Sequence, residues 1–322
     1  MTSTALVVGA GISGLACARS LADRGVVVRV VDRGRVAGGR LASRRRDGRP
    51  VDLGARYFTV PEGSAFAEVV AGWLEQGLVH PWTDTFQAVT LGQGEPEWQP
   101  KTGPMRYSAP GGLRSIAEHV AAGLRTDGVA VDLETPVDRV GGDGEALGSR
   151  YDAVVLAMPD PQAARMLAPD APLRADLSGT EGWEPSIAVA AAWTTRRWRE
   201  DLHGAFVDGS DVLAFVADDG DRRGDGAPVL VAHTTAAFAR RHLEHPDVAV
   251  APVVDALRDL FGIADAPVST HAHRWSFASP ARQHPEPFLV RGRIGVCGDA
   301  WGERSSVSTA WASGHALGQN LL

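Results

Sequence analysis

Three glycines and an acid near the N-terminus, Gly9, Gly11, Gly14 and Asp32, are spaced to hold a nucleotide. Gly9 permits a tight turn out of a strand. Gly11 has no Cβ, so a pyrophosphate can approach its backbone. Gly14 lets a helix lie close to a sheet. The pyrophosphate then meets the free N–H groups and the positive end of that helix. Asp32 is placed to accept hydrogen bonds from both ribose hydroxyls of an adenosine half. It would repel a 2′-phosphate, which disfavours NADP. Ser13 and Arg33, beside these residues, join the candidate contacts.

The elements that must position these residues are legible around them. Ala5-Leu6-Val7-Val8 is an apolar run of buried-strand length. Leu15 to Arg24 reads as a helix, with Leu15, Ala18, Leu21 and Ala22 on one face. Gly25 ends it. Val26 to Val31 is a second buried strand, with Asp32 at its end. A strand, glycine turn, helix, strand and acid in this order define a dinucleotide site.

Gly38-Gly39-Arg40 and the stretch Val51-Asp52-Leu53-Gly54-Ala55-Arg56-Tyr57-Phe58-Thr59 come next, and Gly298-Asp299-Ala300 lies near the C-terminus. On these residues the chain resembles the flavin amine oxidase superfamily, and more closely its renalase branch. The resemblance covers the N- and C-terminal thirds, whereas the middle matches loosely. It implies FAD as a tightly bound prosthetic group. The implied fold is α/β: a Rossmann-like FAD-binding domain with a second, mixed α+β substrate domain, as in p-hydroxybenzoate hydroxylase and the amine oxidases. The expected FAD-binding domain is discontinuous, built from residues 1–64, 104–172 and 286–322. Residues 65–103 and 173–285 form the expected substrate domain.

By the same resemblance Gly39 and Arg40 lie near the FAD pyrophosphate, and Ala55 and Met158 beside the cofactor. The backbone of Val137 meets adenine, although an edge-strand role would also explain this residue. Asp299 meets the ribityl or pyrophosphate part. Ser308 and Thr309 open a C-terminal helix whose N-terminus points at the flavin N1/C2=O edge. A reduced flavin is an anion, and a helix N-terminus carries roughly half a positive charge, so the placement is physically sound.

Composition narrows the class. A chain of 322 residues suggests two lobes, and 44% hydrophobic residues suit a soluble globular protein. No apolar run approaches a membrane span. The N-terminus lacks a basic start and cleavage site, so a cytoplasmic location is expected. A net charge of −7 argues against a nucleic-acid partner. Cys17 and Cys297 belong to no CxxC pair and read as buried free thiols. There is no second glycine fingerprint for NADPH, no metal-ligand spacing and no nucleophile elbow.

The middle of the chain is less specific. His80 to Trp98 reads as short strands and turns, followed by a Pro-Gly loop that holds Lys101, the only lysine. Asp218 to Gly226 reads as a charged hairpin turn. Arg44-Arg45-Arg46 and Arg49 form a basic cluster, either a solvated loop or a phosphate contact. His271 and His273 alternate on an expected strand before Trp275-Ser276-Phe277. They either are metal ligands, line a substrate pocket or form the polar face of a strand. Trp275 is either near the flavin or in the core. Tyr57, His273 and Trp275 are the candidate substrate contacts.

The resemblance implies an oxidase of reduced nicotinamide isomers, the 2- and 6-dihydro forms of NAD(P). Hydride would pass to the flavin and then to dioxygen, giving hydrogen peroxide, as metabolite repair. A dihydronicotinamide gives up hydride without losing a proton, and no convincing acid or base is present. Two alternatives stand beside this: an oxidase or dehydrogenase of an amine or other hydrophobic small molecule, and a flavoprotein that binds without turnover.

Overall fold

The computed structural model describes residues 2–46, 48–169 and 171–322. Two sheets carry the architecture. The first has six strands in the order Leu289–Arg291, Ile294–Val296, Ala153–Leu156, Thr4–Val8, Val27–Val31 and Ala130–Asp132. Its neighbours are parallel except the first pair. The central strands alternate between two buried faces, as a sheet covered on both sides requires. Ala5 and Val7 face the helices Ile12–Asp23, Arg114–Thr126 and Val307–Asn320. Leu6, Val8 and Leu156 share the opposite face and pack with Val137, Trp183 and Trp301.

The second sheet has eight strands: Ser269–Pro280, Trp183–Ala192, Val229–Thr234, Leu213–Asp218, Gly204–Asp208, His80–Thr90, Glu97–Ser108 and Phe58–Thr59. Its pairs are antiparallel except Gly204–Asp208 with His80–Thr90. One face packs Ile187, Val189, Leu230 and Ala232 on Phe238, Val253 and Leu257 of the helices Ala236–His242 and Val250–Phe261. The other face turns toward the chain that leaves the glycine turn. Val51 and Leu53 pack there on Ala188, Ala190 and Val231. This is the Rossmann-like domain with a mixed substrate domain that the sequence suggests.

Several local readings change. The expected short strands between His80 and Trp98 are two long ones, His80–Thr90 and Glu97–Ser108. The second contains Pro100 and Pro104. Its outer neighbour is only the two-residue strand Phe58–Thr59, so most of that edge needs no N–H donor and tolerates proline. Lys101 therefore sits in a strand, exposed, in register with Phe86, and not in a loop. Phe58–Thr59 and all of Glu97–Ser108 belong to the larger sheet.

Asp218 to Gly226 is not a simple hairpin turn. Asp219–Arg223 forms a short helix, capped by the Asp218 carboxylate accepting from the Asp221 N–H at 3.0 Å. Gly224, at φ 73°, ends it. Helix and hairpin share the same Gly/Asp composition, so the sequence alone could not separate them.

Candidate active site

Gly9 takes φ +115°, and an added Cβ would lie 2.6 Å from the Ala157 carbonyl oxygen. A Cβ on Gly14 would lie 2.0 Å from the Gly9 carbonyl oxygen. These two glycines fix the fold of the turn. Gly11 differs: its backbone is ordinary, and a Cβ there would meet nothing within 4 Å. It opens the helix Ile12–Asp23 without a side-chain cap. The first-turn N–H groups are thus left for an anion. Ser13 is 6% exposed, and among the described residues its hydroxyl has no partner.

Asp32 braces this turn. One carboxylate oxygen accepts from the Ala10 N–H and the other from the Gly34 N–H, each at 2.7 Å. Each oxygen retains a lone pair for a ribose hydroxyl. Arg33 beside it is exposed. The Gly38-Gly39 loop runs against the turn: the Gly38 N–H donates to Ala10 at 2.9 Å, and a Cβ on Gly39 would lie 3.5 Å from the Gly11 Cα.

Arg40 and Asp299, 259 positions apart, form a charge pair, with one N–H···O contact of 3.0 Å. Arg40 also lies over the Trp183 ring at 5.3 Å. The Arg40 carbonyl accepts from the Ala55 N–H at 2.8 Å, which ties the 51–59 stretch to this corner. A Cβ on Gly54 would lie 2.0 Å from that same carbonyl oxygen, so the stretch passes close only as glycine. Val137 is buried beside Val8 and Val31, and Met158 is half-buried after the Ala153–Leu156 strand.

The C-terminal helix Val307–Asn320 is capped by Ser306, whose hydroxyl accepts from the Thr309 N–H at 3.0 Å. Ser308 and Thr309 are in its first turn, and both hydroxyls contact that of Ser306. This helix lies directly on Ile12–Asp23. A Cβ on Gly314 would lie 1.9 Å from the Ser13 carbonyl oxygen, and one on Gly318 would lie 2.6 Å from that of Cys17. The sequence reading missed this close pair of glycines, whose spacing of four puts both on one helix face.

Beyond Ala55 the chain enters the face of the larger sheet. A buried charge network fixes it there. Asp52 accepts from the Leu113 N–H at 2.9 Å and from Arg223 at 2.8 Å. Arg222, wholly buried, pairs with Asp219 and donates to the Arg56 carbonyl at 2.9 Å. Arg49 pairs with Asp219 and Asp225. Burial pushes the Asp219 carboxyl up, but Arg222, Arg223 and Arg49 outweigh it and hold it well below the usual carboxylate range. Arg49 is therefore a structural ion-pair partner, not a solvated loop residue or a phosphate contact.

Tyr57 joins a ring cluster. Its ring meets Phe86 at 5.2 Å and Phe215 at 6.5 Å, and Trp82 meets Phe86 at 5.1 Å. Cross-strand register puts Phe206, Phe215, His233, Ala188 and His273 in one row on this face. His233 is 4% exposed, and its Nε2 has no partner among the described residues. Burial, then Arg56 and Arg222, hold it neutral with a pKa well below the ordinary histidine value.

His273 and Trp275 stand on the edge strand of the row, with rings 4.5 Å apart. The Trp275 indole N–H donates to the Leu53 carbonyl at 2.6 Å. Burial, then Arg44 and His271, lower the His273 pKa to about 4. Three strands separate this pair from Phe206, and no ring contact joins Tyr57 to either. Geometry thus assembles the glycine turn, Arg40, Ala55 and Asp299 in one corner, but spreads Tyr57, His273 and Trp275 across a sheet face. No His/Cys/Asp/Glu group suited to a metal ion occurs among the described residues.

Residues 7–72 match the NAD(P)-binding Rossmann-like domain, and residues 85–320 match the flavin containing amine oxidoreductase family. The second match spans more than half of the chain. Similar folds include a putrescine oxidase solved with putrescine, 18% identical over 99% of both chains with a TM-score of 0.76. Another is cyclohexylamine oxidase from Brevibacterium oxydans, 16% identical over 99% of this chain and 98% of that one, with a TM-score of 0.74. A hydroxyneurosporene desaturase from Rubrivivax gelatinosus is 46% identical over 59 residues, which is 18% of this chain and only 11% of the desaturase.

The chain belongs to the flavin containing amine oxidoreductase family. It is an FAD-dependent oxidoreductase. The corner fits that cofactor: open space at Gly11, an uncapped helix start and the unpartnered Ser13 hydroxyl all await a ligand with oxygen-rich groups. Among the described residues no helix is long and apolar enough to cross a membrane.

Proposed function

We propose that the protein oxidises a reduced nicotinamide isomer, a 2- or 6-dihydro form of NAD(P), with dioxygen as acceptor. In this reading Gly9, Gly11, Ser13, Gly14, Asp32, Gly39, Arg40, Ala55, Val137, Met158, Asp299, Ser308 and Thr309 hold FAD, with Arg33 at its exposed margin. The substrate lies on the sheet face beside Tyr57. Bound FAD would supply the redox chemistry, the uptake of a hydride and, with a proton from water, the reduction of dioxygen to hydrogen peroxide.

One observation carries the reading. The bed around Tyr57 is made of aromatic rings and guanidinium groups: Arg106 lies 4.1 Å over Phe86 and Arg56 lies 4.8 Å over Phe215. A protonated amine would meet like charge there, whereas the uncharged ring of a dihydronicotinamide stacks on such a bed. That ring also gives up hydride without proton removal, so the neutral imidazoles of His233 and His273 need not act as bases.

A second reading has its own support. Lys101 is exposed in register with Phe86, and a lysine at a flavin face would suit an amine oxidase. Anaerobic mixing separates the two. The nicotinamide reading expects rapid flavin bleaching by the 2- and 6-dihydro isomers and slow or no bleaching by 4-dihydro NADH. A ring held in one pose presents one carbon, and a displacement of about 1 Å can cost about 100-fold. Bleaching by simple amines alone, lost in Lys101→Met, would establish the second reading instead.

A further inference from the structure

We propose that Arg56 and Arg106 form an anion-binding end of the substrate site, so that the molecule oxidised is an acid bearing a carboxylate or phosphate beside its conjugated ring. The inference rests on the reading that substrate lies on this sheet face beside Tyr57.

The two arginines differ from their neighbours in what they lack. Arg222, which donates to the Arg56 carbonyl, and its neighbour Arg223 are matched by Asp219 and Asp52. Arg49 is matched by Asp219 and Asp225. Arg106 is 8% exposed, yet among the described residues no carboxylate pairs with it, and its Nη1 has no partner. Arg56, half-buried, also has no carboxylate partner among the described residues, and desolvation lowers its pKa. Both guanidinium groups lie on aromatic rings instead: Arg106 on Phe86 at 4.1 Å and Tyr57 at 5.5 Å, Arg56 on Phe215 at 4.8 Å and Phe206 at 5.9 Å.

Magnitudes decide between a structural and a ligand role. A cation over a ring gains about 0.5–2 kcal/mol. Taking a charge out of water costs several kcal/mol unless it is paired. Rings alone leave the buried Arg106 under-compensated and the half-buried Arg56 without an anionic partner, and a packing role alone would be met better by a leucine or methionine. An anion closes the deficit, since guanidinium groups bind carboxylate and phosphate with paired N–H donors. His233 adds a neutral imidazole with an unpartnered Nε2 on the same row, able to donate to or accept from the same ligand. Lys101, opposite Phe86, adds a third positive charge to this face.

The test uses oxidised, FAD-loaded protein and needs no turnover. Benzoate, phenyl phosphate, benzamide and benzylamine are titrated separately while flavin absorbance is followed. Benzoate or phenyl phosphate should shift the spectrum saturably, at least tenfold more tightly than benzamide or benzylamine. The tighter of the two distinguishes carboxylate from phosphate. Arg56→Met and Arg106→Met should each weaken the anion at least tenfold while FAD content stays unchanged. Arg106→Lys should restore part of the loss. Equal or tighter binding of benzylamine would overturn the proposal, as would unchanged anion affinity in both methionine variants. The wild-type comparison decides the matter even if a variant fails to fold. If anions bind as expected but no dihydronicotinamide bleaches the flavin, the nicotinamide reading falls and the acid site stands. If the isomers bleach it and anions show no preference, the reverse holds.

Discussion

The glycine turn and the sheet face around Tyr57 both handle charge, but with different material. At the turn the donors are backbone N–H groups, left free because Gly11 has no side chain and the helix has no side-chain cap. On the sheet face the charged groups are long side chains, Arg56 and Arg106, laid across rings. Backbone donors are held by the helix itself, so local sequence suffices to build them. Guanidinium groups must be positioned by packing, and here six segments meet to do it: the 51–59 stretch, the strands His80–Thr90, Glu97–Ser108, Gly204–Asp208 and Leu213–Asp218, and the helix Asp219–Arg223. The lesson is that an anion site made of backbone is compact in sequence, whereas a cationic surface made of side chains is not.

The largest expected effect separates two glycines within the turn. Gly11→Val should leave the fold intact, since its Cβ meets open space, yet abolish FAD retention by filling the room the pyrophosphate needs. Gly14→Val should fail to fold, because its Cβ collides with the Gly9 carbonyl at 2.0 Å. Circular dichroism and bound-flavin absorbance on the two variants check this. A yellow Gly11→Val protein would remove the pyrophosphate from this position.

Next in size is the network beneath the sheet face. Asp219→Ala leaves the wholly buried Arg222 without its close partner, while Arg223 keeps Asp52, and should cost about 3–5 kcal/mol of stability. Denaturant unfolding measures it. The carboxyl is depressed in the folded protein, so its contribution is full above the unfolded value of about 3.9 and is lost as pH falls through the lower folded value. Wild type should therefore lose stability in acid more steeply than Asp219→Ala. Equal acid slopes would mean that the network is solvated.

The smallest effect tests the edge of the same face. His273 has a folded pKa of about 4, set by burial and by Arg44, His271, Arg114 and Arg274, against about 6.5 when unfolded. Between these values the unfolded chain binds the extra proton, so stability falls as pH drops from about 6.5 toward 4. His273→Gln should flatten that part of the stability curve without releasing FAD. An unchanged curve would show that His273 is not shielded, and would weaken its place on the substrate face.

By itself the sequence determined the nucleotide end. The turn, its helix, the following strand and Asp32 are contiguous, and each glycine answers a local steric demand. The resemblance added Arg40 and Asp299, whose pairing across 259 positions is a tertiary fact. The order of strands in the larger sheet, and with it the separation of Tyr57 from His273 and Trp275, was not legible, because strand alternation gives a face but not a neighbour. Gly314 and Gly318 were not singled out, since a small residue in a helix gains meaning only when another backbone approaches it. The Asp219–Arg223 helix looked like a loop because its stabilising partners, Asp52 and Arg49, lie some 170 positions earlier. Only the tertiary structure decided which arginines have carboxylate partners. Charge pairing depends on distance in space, and the burial that makes an unpaired charge costly comes from every segment packed around it.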